Sequence, residues 1–272
     1  KILNNKVNHS IIYKSTVPPQ TIENFCIPIL RKKLGKKLGL KFKIISNPEF
    51  LREGNAIYDF ENPERIIIGI QNISSKNIMN KIYYGYKKKS DIIFVDIKTA
   101  EFIKYFSNSF FSLLISFSNE ITNLADKINV DFMDVLNAFK LDSRFKSNKN
   151  QIPEVIKYLV PGIGYGGSCF PKDRRALLAS FKKNKVKSDL VKSVINFNET
   201  RKINMVRKVK KLLGSNLKNK KVAFLGVTFK PNTDDLRESP SLVIISKLIS
   251  EGAKVHAHDP AFNKSFKNTK EF

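Results

Sequence analysis

The stretch PGIGYGGSCFPKD, residues 161–173, sets a thiol among glycines, a proline, a lysine and a carboxylate. Pro171 allows a helix to begin beside Cys169. A cysteine at a helix start faces the positive end of the helix dipole, which favours the nucleophilic thiolate. Lys172 adds positive charge. Asp173 follows Cys169 by four residues, within one helical turn, where a carboxylate can accept a proton. Gly162, Gly164 and Gly167 also fit the pattern G-x-G-x-x-G. A dinucleotide loop of that pattern runs from a buried strand straight into a helix. Here EVIKYLVP and helical surroundings precede it. The glycines therefore read as letting backbone approach a ligand closely. A structural loop holding a small buried cysteine stands beside that reading, and this segment alone does not choose between them.

Four other segments carry polar groups at places that ligands use. SNPEFLREG puts Glu49 and Glu53 four residues apart after a strand end, where parallel sheets bind ligands. The plain alternative is a solvated capping pair. STVPP puts Ser15 and Thr16 at another strand end; alone it is only a turn. EFIKYFSNSF places Lys104 and Asn108 at i, i+4 on an otherwise apolar helix. A buried lysine needs a partner, unless Lys104 lies on an exposed edge. TFKPNTDDLRES gathers Lys230, Asp234, Asp235, Arg237 and Glu238 before a helix, a cluster that also suits an ordinary charged turn.

The elements that must position these residues fall into three textures, over 1–96, 97–218 and 219–272. In the first, strand signals (HSIIY, FKIIS, RIIIGI, DIIFVDI) alternate with helical ones, which predicts an α/β fold with a parallel sheet. The glycine-rich opening βαβ of a nucleotide-binding sheet is missing, so these residues read as the second half of a doubly wound domain. The second is helical. TAEFIKYFSNSFFSLLISFSNEITNLADKI is a long pattern without Pro or Gly, apolar enough for a large core or a subunit interface. In the third, KKVAFLG, SPSLVIISKLISEG and AKVHAHDP form one βαβ unit. The chain opens on Lys1, without an initiator Met or the apolar stretch of a signal peptide. It is expected to be truncated at both ends.

The formal charge is +25, but only nine of the 49 basic residues are arginine, and the lysines are scattered. Nucleic-acid recognition favours Arg forks and aromatics on one face, so no nucleic-acid partner is expected and a lysine-rich binding module is the weaker alternative. No apolar run is long enough for a bilayer, so no membrane partner is expected. Cys26 and Cys169 exclude a disulfide framework, and His9, His256 and His258 lack ligand-like partners. A reducing, cytoplasmic protein without a metal follows.

Taken in order, STVPP, NPEFLREGNAIYDFENPERIIIG, AEFIKYFSNSF, PGIGYGGSCFPKD, NETR and TFKPNTDDLRESPS resemble the nucleotide-sugar 6-dehydrogenases, the UDP-glucose/GDP-mannose dehydrogenase family. The resemblance covers nearly the whole chain. It implies a partial Rossmann domain for NAD, a central all-helical dimerisation domain and a partial C-terminal Rossmann-like domain for UDP. It also implies a homodimer or larger homo-oligomer through the long helix. The implied reaction is a two-step, four-electron oxidation of a nucleotide sugar at C6, UDP-glucose first, with GDP-mannose or UDP-N-acetylmannosamine as alternatives. By resemblance, Cys169 is the nucleophile and Asp173 the base, acting through a water near Lys104. Lys104 and Asn108 stabilise oxyanions, Glu49 assists thioester hydrolysis, and Thr16 positions the water. Phe50, Leu51, Arg52, Lys104, Asn108, Tyr158, Gly166 and Lys230 would bind the substrate. Thr16, Glu53 and Arg237 would lie on the NAD side. Without its first half, the chain is expected to hold NAD poorly.

Overall fold

The computed structural model describes residues 8–86, 90–145 and 153–262. The chain divides into two compact units, residues 1–107 and 108–272.

The first unit is built on a four-stranded sheet in the order β1 (His9–Tyr13), β2 (Phe42–Ser46), β3 (Arg65–Ile70), β4 (Asp91–Val95). The central strands FKIIS and RIIIGI are apolar nearly throughout because both of their faces are covered. Adjacent residues of β2 point to opposite faces. Ile44 packs with Ile22, Ile27 and Ile97, while Ile45 packs with Ile66, Ile68 and Met79.

The sheet is not parallel throughout, as the sequence led us to expect. β1 with β2 and β3 with β4 are parallel, but β2 and β3 are antiparallel, joined at Ile45–Ile70 and Ser46–Gly69. The reason lies in the connection. Its only helix, α2 (Ala56–Glu61), has six residues and rises about 9 Å, too little to carry the chain back along the strands. A second departure precedes α1 (Ile27–Leu34), which begins with a widened i→i+5 turn over Ile22–Cys26. Pro28 has no N–H to return to the turn before it, and the wider turn absorbs the missing bond. The helix α3 (Ile73–Ile82) is capped by the Asn72 side chain, which accepts from the Ser75 amide at 3.0 Å.

The long apolar pattern forms one helix, α4 (Ile97–Lys127). In the second unit α5 (Phe132–Phe139) opens on an Asp131 cap. Two further helices follow, α6 (Phe170–Lys183) and α7 (Asp189–Leu213). The last βαβ unit is β5 (Lys221–Leu225), α8 (Pro240–Ser250) and β6 (Lys254–His258), with β5 and β6 parallel. Its core joins Val227, Ile244, Leu248 and Val255 to Val206 of α7.

Asp259, just past β6, is buried. One oxygen accepts from the amides of Val227 and Thr228 and the Thr228 hydroxyl, and the other from the Ala261 amide at 2.9 Å. Burial alone would push this carboxyl up; the donors overcome burial and hold it at about 2. A depressed value means that the carboxylate's contribution is present above the unfolded value of about 3.9 and is lost as pH falls toward 2. Asp259→Asn is expected to lower stability at pH 7 by about 1.5–3 kcal/mol, the scale of hydrogen bonds to a charged group. In urea unfolding the gap from wild type should narrow from pH 7 to pH 3. A gap independent of pH would mean that the charge is not what matters.

Candidate active site

The sequence-predicted residues form two groups, one in each unit. In the first, the loop after β2 brings the Glu49 carboxylate to the C-terminal end of β1. Its Oε1 accepts from the Thr16 hydroxyl at 3.4 Å and faces Lys104 Nζ at 3.6 Å, and its Oε2 accepts from the Leu51 amide at 2.8 Å. Lys104 is only 5% exposed. Its ammonium also lies 5.0 Å from the Phe50 ring centroid, and the Arg65 guanidinium lies 4.8 Å from the same ring. The pairing and the ring face together offset the desolvation of a buried lysine. The lysine at an exposed edge is thereby set aside.

The rest of that loop is tied to itself. Arg52 donates from its backbone amide, Nε and a terminal nitrogen to Asp59, at 2.8, 3.0 and 2.6 Å. Arg52 first, and then Asn55, hold the Asp59 carboxyl below the usual range. Glu53 is half-buried on this loop. Glu49 and Glu53 do not lie one turn apart on a helix, because α2 starts only at Ala56.

In the second unit Cys169 is exposed and immediately precedes α6. Its carbonyl accepts from the Asp173 amide at 2.9 Å, which places both residues on the first turn. Asp173 is fully buried. Its Oδ2 accepts from the Asn108 amide at 2.6 Å, and Lys172 pairs with Oδ1. One N–H of the Asn108 amide thereby orients Asp173. Tyr158 stacks on Phe111 with centroids 4.5 Å apart and lies 6.5 Å from Phe170. Lys230 lies 5.6 Å from the Phe229 ring centroid. Arg237 donates from its amide and from both sides of its guanidinium to Asp235.

The glycines of residues 162–167 are not preceded by a strand; residues Glu154–Leu159 form a tight helical segment. At Gly166 and Gly167, protein fills the space of the missing side chain, whereas a Cβ on Gly162 would meet nothing within 4 Å. A Cβ on Gly166 would lie 2.3 Å from the Glu238 carbonyl oxygen, and one on Gly167, at φ 79°, would meet the Phe229 ring at 2.7 Å. Close backbone approach is thus required here, and the partner is the segment between β5 and α8. The sugar is not needed to account for it.

Three side chains with no assigned role in the sequence reading hold these groups in place. Glu101 is buried and accepts from the Gln20 and Ile22 amides at 2.6 and 2.9 Å, fixing the chain after STVPP to α4. Burial pushes its carboxyl up, against the pull of the two amides. Asn198 grips Tyr165, accepting from its amide at 2.9 Å and donating to its carbonyl at 3.1 Å. Arg201 donates to the Gly162 carbonyl at 2.8 Å and also to Asn123. The signals were present. Glu101 stands three residues before Lys104 on one helix face, and Asn198 and Arg201 bound the NETR motif.

For NAD, the described residues offer Thr16 at the C-terminal end of β1, where dinucleotides bind. Among the described residues no strand runs into a glycine-rich helix start, so they fit only part of such a ligand.

Comparisons of sequence and structure point to one family. Three domain profiles of the UDP-glucose/GDP-mannose dehydrogenase family match: the NAD binding domain over residues 1–87, the central domain over 98–200 and the UDP binding domain over 223–271. UDP-glucose 6-dehydrogenase of Rickettsia bellii is 43% identical over 251 residues, covering 92% of this chain and 54% of the relative. That of Rhizobium meliloti is 40% identical, covering 80% and 48%. Among solved structures, the UDP-glucose dehydrogenase of Pyrobaculum islandicum superposes with a TM-score of 0.83 at 37% identity, over 94% of this chain and 56% of that one. The UDP-N-acetylmannosamine dehydrogenase of Pyrococcus horikoshii gives 0.79 at 25% identity, over 96% and 59%. The chain spans about half the length of the curated relatives it matches.

Proposed function

Because the chain belongs to the UDP-glucose/GDP-mannose dehydrogenase family, we propose that it serves the NAD-dependent oxidation of UDP-glucose to UDP-glucuronate. The observation that carries the reading is Cys169 at the start of α6, with buried Asp173 on the same turn and Asn108 orienting it. NAD, when bound, supplies the hydride acceptor. Asp173 receives the hydroxyl proton through a water as the C6 hydrogen leaves as hydride, which gives an aldehyde. The Cys169 thiolate adds to that carbon, and the oxygen takes a proton to give a thiohemiacetal. Loss of a second hydride and of the hydroxyl proton leaves a thioester. Water then displaces the sulfur, and the acid departs. Covalent capture keeps a reactive aldehyde on the protein and splits a hard oxidation into two.

Lys104 suits the stabilisation of negative oxygen, being a desolvated cation held 3.6 Å from Glu49. Glu49, in reach of Thr16, suits activation of the hydrolytic water. Thr16, Glu53 and Arg237 are proposed for the cofactor side. Phe50, Leu51, Arg52, Tyr158, Gly166 and Lys230 are proposed for the sugar nucleotide. We place the domain limits near residues 97 and 219, where α4 begins and the last βαβ unit approaches.

A homodimer through α4 is part of the reading. Phe102, Phe106, Phe110, Phe117, Ile121 and Leu124 are all exposed and recur every three or four residues or a multiple of that, as one apolar helix face does. A monomeric mass by light scattering would end that part. No helix among the described residues is long and apolar enough to cross a membrane, and we place the reaction in the cytoplasm.

Comparing kcat/KM with NAD for UDP-glucose, GDP-mannose and UDP-N-acetylmannosamine tests the substrate. UDP-glucose should lead by at least about tenfold, the low end of what a pocket gains from one added or missing small group. A lead by either other sugar would reassign the protein within its family.

A further inference from the structure

We propose that Glu238 is a positioning residue for Cys169, tying the segment after β5 to the first turns of α6. Both terminal nitrogens of Arg175, two residues beyond Asp173, donate to the two Glu238 oxygens. The neighbouring Arg237 carbonyl accepts from the Gly167 amide at 2.9 Å, two residues before the thiol. Gly166 presses on the Glu238 carbonyl itself. The segment is therefore fastened on both sides of Cys169, to the glycines before it and to the helix after it.

Glu238 is held in an uncommon shape while doing so. Its φ is 52°, in the left-handed region that non-glycine residues seldom enter. Asp235 pins the preceding turn by accepting from the Arg237 amide at 2.8 Å, and the Ser239 hydroxyl donates to the Val227 carbonyl at 2.7 Å. The charge around Glu238 is positive. Arg175 first, with Lys202 and Arg174 behind it, holds its carboxyl below the usual range. Lys202 is itself buried and paired with Glu199 at 2.8 Å. An isolated ion pair as exposed as Arg175–Glu238 contributes little. This one closes a ring that already contains a backbone hydrogen bond and a glycine–carbonyl contact. The same segment carries Lys230, so whatever settles that segment also settles the thiol.

The inference rests on Cys169 as the nucleophile, but it can be read without turnover. In the whole protein, alkylation of Cys169 by iodoacetamide is followed by peptide mass spectrometry, with Cys26 as internal reference. Glu238→Ala and Arg175→Ala should each slow Cys169 relative to Cys26 by about fivefold, the upper scale of a partly exposed ion pair. They should lower kcat and leave KM for UDP-glucose unchanged. Combining Glu238→Arg with Arg175→Glu should restore most of the alkylation rate, which a merely structural loss would not. If Glu238→Ala fails to fold, Glu238→Gln, of equal size and without charge, carries the same expectation. An unchanged Cys169 to Cys26 ratio in the folded variants, or no recovery on charge reversal, would overturn the proposal. If Cys169 were not the nucleophile, the alkylation ratio would still respond while kcat would not.

Discussion

Cys169→Ser is expected to stop formation of the uronate while leaving a slow first oxidation. The first hydride transfer needs a base and an acceptor but no sulfur. The second starts from a carbon already bonded to sulfur, and the resulting thioester is what water opens. A serine hydroxyl at the same helix start is a far weaker nucleophile, so acid formation should fall by at least about a thousandfold. NADH release should continue slowly, and a hydrazine should trap the aldehyde. The thiol is exposed, so the midpoint of unfolding should move little. Uronate produced at the wild-type rate by this variant would remove Cys169 from the mechanism.

Gly166→Ala is expected to give the largest loss of stability of any single methyl added to this loop. The new Cβ would stand 2.3 Å from the Glu238 carbonyl oxygen and 2.9 Å from Pro240 Cδ. Neither can step aside. Glu238 is fixed by Arg175 and by its φ of 52°, and Pro240 is the first residue of α8. Overpacking against movable side chains costs about 1–3 kcal/mol; against pinned backbone the loss should reach or pass the top of that range. Gly162→Ala is the control, since a Cβ there meets nothing within 4 Å, and it should stay within about 0.5 kcal/mol of wild type. Urea unfolding of the two variants side by side decides it. Equal midpoints would mean that Gly166 does not carry the close approach.

Both expectations concern a loop whose chemistry could be read from residue types and whose packing could not. The order Cys–Phe–Pro–Lys–Asp announces a helix start with a thiol at its mouth, because proline placement and helical spacing are local rules. What presses on Gly166 lies 72 residues away in the sequence, and no periodicity reports it. Residue types alone suggest a ligand beside these glycines, yet at Gly166 and Gly167 a protein segment fills the space, at Gly164 Asn198 does, and only at Gly162 is it open. The apolar helix around Lys104 admits burial without requiring it, and the structure buries the side chain. Its partner was not legible, since Glu49 reaches it through a loop after a different strand. The strands themselves were read correctly from their apolar runs. The antiparallel β2–β3 pair has no such signature, because alternation alone suggests parallel strands and a six-residue helix does not enforce that direction. Asn108 has a contact that its spacing does not announce. Its place on the face of Lys104 was plain, but its amide turns to Asp173.

The most direct measurement counts electrons against product. The whole protein, given UDP-glucose and excess NAD, should form two NADH for every UDP-glucuronate, with no free aldehyde accumulating. One NADH per sugar with a carbonyl product, or no uronate at all, would contradict the account.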